Sequence, residues 1–198
     1  MKRAAILLSI ALLSAGCATT REAISLPELD SWETRTAVLG ELREWEFRGR
    51  IAVKAGDEGF NGKIRWIQDD ETFNTTVGGP IGIGTVRIEG SGQTVTLTDK
   101  DGVRTELQDA ELELRYRYGW TIPLRSLRYW ALGVPDPALA AETRFGADGQ
   151  LEYLSQRGWH VAITRYREGG GQSMPNRLSA ENGDTTVRLV IDSWYFFK

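Results

Sequence analysis

The sequence is poor in the residues that build catalytic and metal sites. It contains one histidine and one cysteine in 198 residues. A zinc site needs several imidazole or thiolate ligands, and a nucleophilic site needs a base beside its nucleophile. His160 alternates with Trp159 and Val161, so the pattern places it on the solvent face of a strand. The sequence therefore predicts a protein that is not an enzyme and holds no metal or cofactor.

The sequence also lacks a basic stripe and a long hydrophobic run. Its formal net charge is −3, which argues against a nucleic-acid partner. The one strongly apolar segment, "AAILLSIALLSA" near the N-terminus, is shorter than the roughly 20 residues that a membrane-spanning helix needs. It follows Lys2 and Arg3, as the apolar part of a signal peptide does. We interpret residues 1–16 as a signal peptide.

The segment "LLSAGC" ends at the single cysteine, Cys17, with small residues just before it. This arrangement resembles the lipobox of bacterial lipoproteins, in which the cysteine is acylated and becomes the mature N-terminus. Ser14 and Leu13 make the match imperfect, and the alternative is a plain secretory peptide with an incidental cysteine. The lack of a disulfide partner favours lipid attachment at Cys17. Ala18, rather than aspartate, resembles the sorting pattern for the outer membrane.

The mature chain is predicted to have a short tether, residues 17–27, and one domain, residues 28–198. The domain begins with an amphipathic helix, because Leu29, Trp32, Leu39 and Leu42 recur at spacings of three and four. The period then changes to two, in short runs bounded by turn residues. About eleven strands result, six before a helical insert and five after it, and short turns make neighbours antiparallel.

The insert between residues 109 and 137 contains two further helices. "PLRSLRYWALGVP" has Pro123 at its start and Gly133 at its end, both typical of helix boundaries. "DAELELRYRYG" alternates as a strand would, yet Asp109 is a good N-cap, which favours a helix. Eleven one-sided strands have to curl. We expect a mainly β fold, an incomplete (half-open) antiparallel barrel covered by about three helices and enclosing an apolar cavity. The pattern leaves open whether the interior is hollow or filled.

The stretch "GGPIGIGT", residues 78–85, has the glycine content of a phosphate-binding loop. It lacks the lysine and the Ser/Thr of a P-loop, and it joins two strands rather than a strand and a helix. A phosphate site is therefore excluded.

Several motifs together are similar to the LolB family of outer-membrane lipoprotein receptors. They are, in order, "GRIAV", "IRWIQ", "GPIG", "IPLRSLRYWALGVP", "SQRGWHVAITRY", "MPNRLSA" and "VIDSW". The resemblance implies a monomeric protein, facing the periplasm from the outer membrane. It would accept lipoproteins from a LolA-like periplasmic carrier, bind their acyl chains in its cavity and insert them into the membrane.

The resemblance also implies roles for particular residues. Pro80, Ile81 and Gly82 match the protruding turn that carries the family's apolar membrane-insertion residue, here isoleucine rather than the usual leucine. The alternative is that Ile81 folds into the core. Trp66, Trp130 and Trp159 fall at family positions and are candidate cavity or lid residues, although buried tryptophans more often serve packing. Two other functions stay open, a carrier or lipocalin-like binder of another lipid and a structural lipoprotein with a filled core.

Overall fold

The structure, a computed structural model, describes residues 21–79, 85–91, 94–118 and 121–198. Twelve antiparallel strands form one sheet, and three helices lie within the described part of the chain. The strands are β1 Ala23–Ile24, β2 Glu44–Ala55, β3 Glu58–Asp69, β4 Thr72–Gly78, β5 Thr85–Ser91, β6 Thr94–Thr98, β7 Arg104–Leu107, β8 Glu142–Phe145, β9 Leu151–Gln156, β10 Trp159–Gly169, β11 Gln172–Asn182 and β12 Thr185–Phe197. The helices are α1 Trp32–Gly40, α2 Ala110–Tyr118 and α3 Leu124–Leu132.

The order across the sheet is β7-β6-β5-β4-β3-β2-β12-β11-β10-β9-β8. Strands that follow one another in the chain are neighbours in the sheet from β2 to β7 and from β8 to β12, and the pairing of β2 with β12 joins these two halves. Strands β7 and β8 form the two edges, so the sheet does not close into a complete barrel. The predicted mainly β fold with an incomplete barrel is confirmed, with five strands after the helical insert as predicted and seven, rather than six, before it.

The twelfth strand, β1, lies in the segment that the sequence predicts to be tether. Ala23 pairs with Phe197 and Ile24 with Phe196, at the C-terminal end of β12. Just beyond, the side chain of Leu26 is buried and its N–H donates to the Gly170 carbonyl at 2.8 Å. Residues 23–26 are therefore held against the domain.

One face of the sheet is apolar and packs inward, as alternation requires. In β2, Trp45, Phe47, Ile51 and Val53 are buried, whereas Arg48 and Arg50 point outward and are exposed. Aromatic rings dominate one end of this interior. The rings of Trp45, Phe47 and Trp66 contact one another, with all three pairs of centroids 6.0–6.3 Å apart. Such large rings contribute much of the buried apolar area that stabilises the fold.

Helix α2 lies in the segment "DAELELRYRYG", whose pattern was ambiguous between helix and strand. The N–H of Leu112 donates to Asp109 Oδ1 at 3.1 Å, which is the N-cap hydrogen bond expected of a helix. Leu114 is buried, but Leu112 and Tyr116 are 62% and 91% exposed. The apparent alternation arose because two large apolar residues of this helix face solvent.

Helix α3 has the predicted boundaries. Pro123 occupies the N-cap position and Gly133 ends the helix in the left-handed conformation, with φ 78°. A side chain is strained at that φ, and a Cβ at Gly133 would also lie 2.9 Å from the Pro175 ring. None of the helices in the described residues is both long and apolar enough to cross a membrane.

Candidate functional site

An apolar pocket of about 450 Å³ lies on the concave side of the sheet, bounded by β2–β6 and the start of α3. Its lining residues are Ile51, Gly59, Phe60, Asn61, Ile64, Trp66, Thr75, Val77, Gly79, Val86, Ile88, Leu97, Asp99, Ile122, Leu124 and Leu127. Its size is within the range of about 300–1,000 Å³ that is usual for ligand pockets. We call it the apolar pocket.

The strand wall of this pocket follows directly from the register. Thr75, Ile88 and Leu97 are directly opposite one another on β4, β5 and β6. Val77 and Val86 form a second such pair. Side chains opposite each other in a ladder share a face. Val77, Val86, Ile88 and Leu97 are half-buried in this open sheet, whereas Thr75 is buried.

Helix α3 closes one side of the apolar pocket. Ile122, Leu124 and Leu127 contribute its wall and are all buried. The other buried residues of the helix, Trp130 and Ala131 among them, pack into the core. The helix therefore has one apolar face along its whole length, of which only the first turn reaches the pocket.

Trp66, one of the candidate cavity residues, lies in the wall of the apolar pocket. Its indole Nε1 donates to Gln68 Oε1 at 3.1 Å, and its ring stacks on Phe73 at a centroid distance of 4.7 Å. Gln68 Nε2 in turn donates to the carbonyls of Asp70 and Thr72. These contacts fix the indole in one orientation, so that it presents an apolar surface.

Trp130 and Trp159 lie elsewhere in the core, against each other at a centroid distance of 6.0 Å. Trp130 is fully buried, and its Nε1 donates to Gln156 Oε1 at 3.0 Å. The same oxygen accepts from the Asp136 N–H, and Gln156 Nε2 donates to the Asp136 and Leu139 carbonyls. The Gln156 amide therefore fastens α3 and the loop after it to β9. Any lid movement of this helix has to break that network.

Thr75 is unusual among the lining residues. It is 2% exposed, and its Oγ1 has no hydrogen-bond partner in the described part of the chain. A buried hydroxyl without a partner destabilises a fold by about 1–3 kcal/mol. This hydroxyl is the one polar group that interrupts the row from Trp66 through Thr75 to Ile88 and Leu97.

We expect Thr75→Val to raise the free energy of unfolding by about 1 kcal/mol, because valine keeps the shape and removes the unsatisfied hydroxyl. Thr76→Val is the matched control, since Thr76 is the next residue and points to the outer face. Urea unfolding of both variants measures the difference. An equal or lower stability of Thr75→Val would show that the hydroxyl is hydrogen-bonded in the folded protein.

One lining residue of the apolar pocket directly precedes the predicted insertion loop in the sequence. Gly78 and Thr85 form the last pair of the β4–β5 ladder, and Gly79, the next residue, lines the pocket. Pro80, Ile81 and Gly82 lie outside the described residues, as does Cys17.

A second, more polar pocket of about 350 Å³ lies between α2, α3 and the residues after α3. Glu111 faces it, paired with Arg157 at 3.2 Å. Burial raises the pKa of Glu111, although the guanidinium of Arg157 opposes the shift. Within the described ranges, no group of three or more His, Cys, Asp or Glu side chains could hold a metal ion. His160 is exposed, as predicted, and its Nδ1 lies 2.6 Å from the Tyr153 hydroxyl.

The comparison that decides the family covers most of the domain. Residues 43–194 match the family model for the outer membrane lipoprotein LolB. The chain belongs to the LolB family. Its relatives include the outer-membrane lipoprotein LolB of Pseudomonas paraeruginosa, 34% identical over 116 residues, and that of Francisella tularensis subsp. tularensis, 27% identical over 117 residues. Each alignment covers 59% of this chain and 57% or 56% of the relative, so the chain spans a little over half the length of the LolB relatives it matches.

Solved structures agree on the fold alone. A LolA superfamily protein from Nitrosomonas europaea superimposes with a TM-score of 0.52 at 8% identity, covering 85% of this chain and 94% of that one. A DUF1329 family protein from Desulfovibrio piger gives a TM-score of 0.54 at 5% identity, covering 82% and 89%. The open sheet with its covering helices is therefore shared well beyond recognisable LolB sequences.

Sequence patterns did not indicate two features of the site. Gln156 ends a predicted strand, and nothing in its neighbours distinguishes it from a solvent-exposed glutamine. Thr75 falls at an inward position of "FNTTV", and a polar residue there was the one available sign of an interrupted apolar wall. Both depend on what lies opposite in the folded chain.

Proposed function

We propose that this LolB family protein receives lipoproteins from a LolA-like periplasmic carrier and inserts them into the outer membrane. The apolar pocket holds their acyl chains during transfer. The observation that supports this most strongly is the lining of the pocket, which includes residues of β3–β6 and Gly79, the residue before Pro80 of the predicted insertion loop. Chains held there lie beside the segment expected to enter the bilayer.

The transfer needs no catalytic group, and we propose that the protein is not an enzyme. Moving an acyl chain between apolar environments leaves its gross burial energy, about 0.8 kcal/mol per methylene, nearly unchanged. Direction comes from differences in affinity, with each tenfold step worth about 1.4 kcal/mol. The protein therefore has to bind acyl chains more tightly than the carrier and less tightly than the membrane.

The proposal assigns distinct roles to the predicted residues. Cys17 carries the lipid anchor in the outer membrane, facing the periplasm. Ile81, held by Pro80 and Gly82, enters the bilayer and opens a path for the chains. Trp66 forms part of the acyl-binding wall, whereas Trp130 and Trp159 hold α3 in place over the open side. The protein works as a monomer, with the carrier and the lipoprotein as its partners.

The test of acyl binding uses the full-length chain with Cys17→Ala and a cleavable signal peptide. We expect a soluble protein that binds a fluorescent fatty acid, because the apolar pocket lies in the domain and not at the anchor. Unlabelled lipoprotein should displace the probe. Binding of the fatty acid without displacement by lipoprotein would indicate a binder of another lipid. Absence of any displaceable probe would indicate a filled core and refute the proposal.

A further inference from the structure

The outer face of the sheet carries cations in two neighbouring rows. Across the ladder, Arg50 on β2 is directly opposite Lys63 on β3, and Lys63 is opposite Gly78 at the root of the predicted loop. The second row contains four arginines, one on each of β2, β3, β5 and β7. It consists of Arg48, Arg65, Arg87 and Arg104, with Thr76 and Thr98 between them. We call these six residues the cationic face.

Acidic partners neutralise only part of this charge. Glu46 accepts from Arg48 Nε at 2.7 Å and from Arg65 Nε at 2.8 Å. Asp192 lies 3.0 Å from Arg50, and Glu89 lies 3.7 Å from Arg104. Six cations and three carboxylates leave a local charge of +3, on a chain whose formal charge is −3. Within the described residues, Lys63 and Arg87 form no ion pair.

Glu46 forms hydrogen-bonded ion pairs with two of these arginines. Burial alone would raise the pKa of Glu46, but hydrogen bonds from Arg65 and Arg48 hold that pKa below its usual range. Its side chain is 7% exposed, so it has no oxygen to offer a ligand. It therefore orients the two guanidinium groups on the surface without hiding them.

The arrangement is unfavourable for the sheet itself. Like charges directly opposite on neighbouring strands destabilise a ladder, and two such pairs occur here, Arg50 with Lys63 and Arg48 with Arg65. One pair is relieved by Glu46. The other faces the loop root, where Asp192 reaches only Arg50. The electrostatic repulsion between such cations at a surface is offset when an anion binds to them.

The position of the charges relative to the loop identifies the anion. A bilayer has a polar layer of roughly 5–8 Å on each side of its hydrocarbon core. Lys63 is directly opposite Gly78 on the neighbouring strand, about 5 Å from it. Arg65 and Arg87 lie on either side of Thr76, which is about 7 Å from Gly78 along β4. When the loop enters the bilayer, these three side chains are close enough to its root to contact the surrounding headgroups.

The chain's N-terminal attachment lies at the other end of the same strands. Ala23 pairs with Phe197, and Phe196 pairs with Trp45, five residues along β2 from Arg50. A tether and a loop at opposite strand ends both reach one membrane when a face of the sheet lies along it. The helices cover the inner face, which leaves the outer one.

We propose that the cationic face binds the phosphate groups of anionic lipids in the target membrane and holds the insertion loop against it. The inference rests on the proposed function, since it takes the β4–β5 loop to enter the bilayer. Each basic side chain near an anionic surface contributes to attraction that salt screens. An electrostatic contact with anionic headgroups thereby adds to the two other membrane contacts, which are the apolar loop and the acyl anchor.

The test uses the same chain with Cys17→Ala and a cleavable signal peptide, so that neither an acyl anchor nor the apolar signal segment masks weaker contacts. Binding is measured by cosedimentation with vesicles of phosphatidylcholine alone or mixed with phosphatidylglycerol. We expect tighter binding to the mixed vesicles. Lys63→Gln with Arg87→Gln should lower that partition coefficient about 30-fold. High salt should have the same effect, and binding to phosphatidylcholine alone should not change.

The matched control removes two exposed cations from other places, Arg115 on α2 and Arg144 on the edge strand β8. Arg115→Gln with Arg144→Gln should bind mixed vesicles as the parent chain does. Equal binding of the parent chain to both vesicles, or an equal loss in the control, would overturn the inference. So would a Lys63/Arg87 variant that keeps vesicle binding but no longer accepts lipoprotein, which would assign the face to an acidic surface of the carrier.

The two proposals fail in different ways. Fatty-acid binding by the Lys63→Gln and Arg87→Gln variant should equal that of the parent chain, because neither residue lines the apolar pocket. Loss of vesicle selectivity with intact fatty-acid binding refutes the cationic face alone. A parent chain that binds no fatty acid refutes the proposed function, whatever the vesicles show.

Discussion

Ile81→Glu is expected to leave the protein able to take lipoprotein from its carrier and unable to pass it to a membrane. In the sequence, Ile81 comes two positions after Gly79, which lines the apolar pocket. An ionised side chain within hydrocarbon costs about 2.5–3.5 kcal/mol on insertion scales. At 1.4 kcal/mol for each tenfold, insertion should fall on the order of 100-fold. Transfer of a labelled lipoprotein into vesicles, measured beside its acceptance from the carrier, separates the two steps.

Two controls make this result specific. Ile81→Leu keeps the size and hydrophobicity of the residue and should insert lipoprotein normally. Val103→Glu places the same charge on another exposed apolar residue, 58% exposed beside β7, and should have no effect. A variant Ile81→Glu that also fails to accept lipoprotein would place Ile81 in the core. Normal insertion by that variant would remove the loop from the mechanism.

Ile88→Trp is expected to abolish fatty-acid binding while leaving the fold stable. Ile88 is the middle residue of the pocket wall, opposite Thr75 on one side and Leu97 on the other. If the space in front of it is empty, an indole occupies that space at little cost in free energy. If the interior is filled, overpacking destabilises the protein by about 1–3 kcal/mol. Fatty-acid titration and urea unfolding of the same variant distinguish a hollow interior from a filled one.

The matched control for the added bulk is Ile67→Trp. Ile67 is on β3, next to Trp66 in sequence, and is on the outer face opposite Asn74. Its replacement should leave fatty-acid affinity as it is. Loss of binding in both variants would mean that Ile88→Trp acts through a general distortion of the sheet. Retained affinity in Ile88→Trp would place the acyl chains elsewhere.

The sheet was predictable because most of its strands have one solvent-exposed face and one buried face. "WEFRGRIAV" alternates because Trp45, Phe47, Ile51 and Val53 pack inward while the arginines between them meet solvent. Short turns then fix antiparallel neighbours. Strand β1 has two residues, too few to show a period, and its pairing depends on the end of β12.

Helix α2 shows where periodicity alone fails. Leu112 and Tyr116 are apolar yet exposed, so the pattern resembled a strand, and the local signal from Asp109 was the better guide. Capping depends on residues three positions apart, which a sequence displays. The exposure of a side chain depends on the whole fold, which a sequence does not display.

The functional site was predictable only in part. The resemblance to the LolB family pointed to Trp66, which lies in the pocket wall, and to a loop that follows Gly79, another lining residue. The first turn of α3 as a pocket wall, the Gln156 network and the unpartnered Thr75 hydroxyl all arise where distant segments meet. The cationic face has the same origin, because only strand register brings Arg50 opposite Lys63 and Lys63 opposite Gly78.

Transfer of a lipoprotein from its carrier in the absence of nucleotide tests the proposed function most directly. The purified carrier, loaded with labelled lipoprotein, is mixed with the Cys17→Ala chain, and the label on each protein is followed. We predict that the label moves to this protein without ATP, and that Ile88→Trp prevents the movement. Label that stays on the carrier, or that moves equally well to Ile88→Trp, would contradict a downhill handover into the apolar pocket.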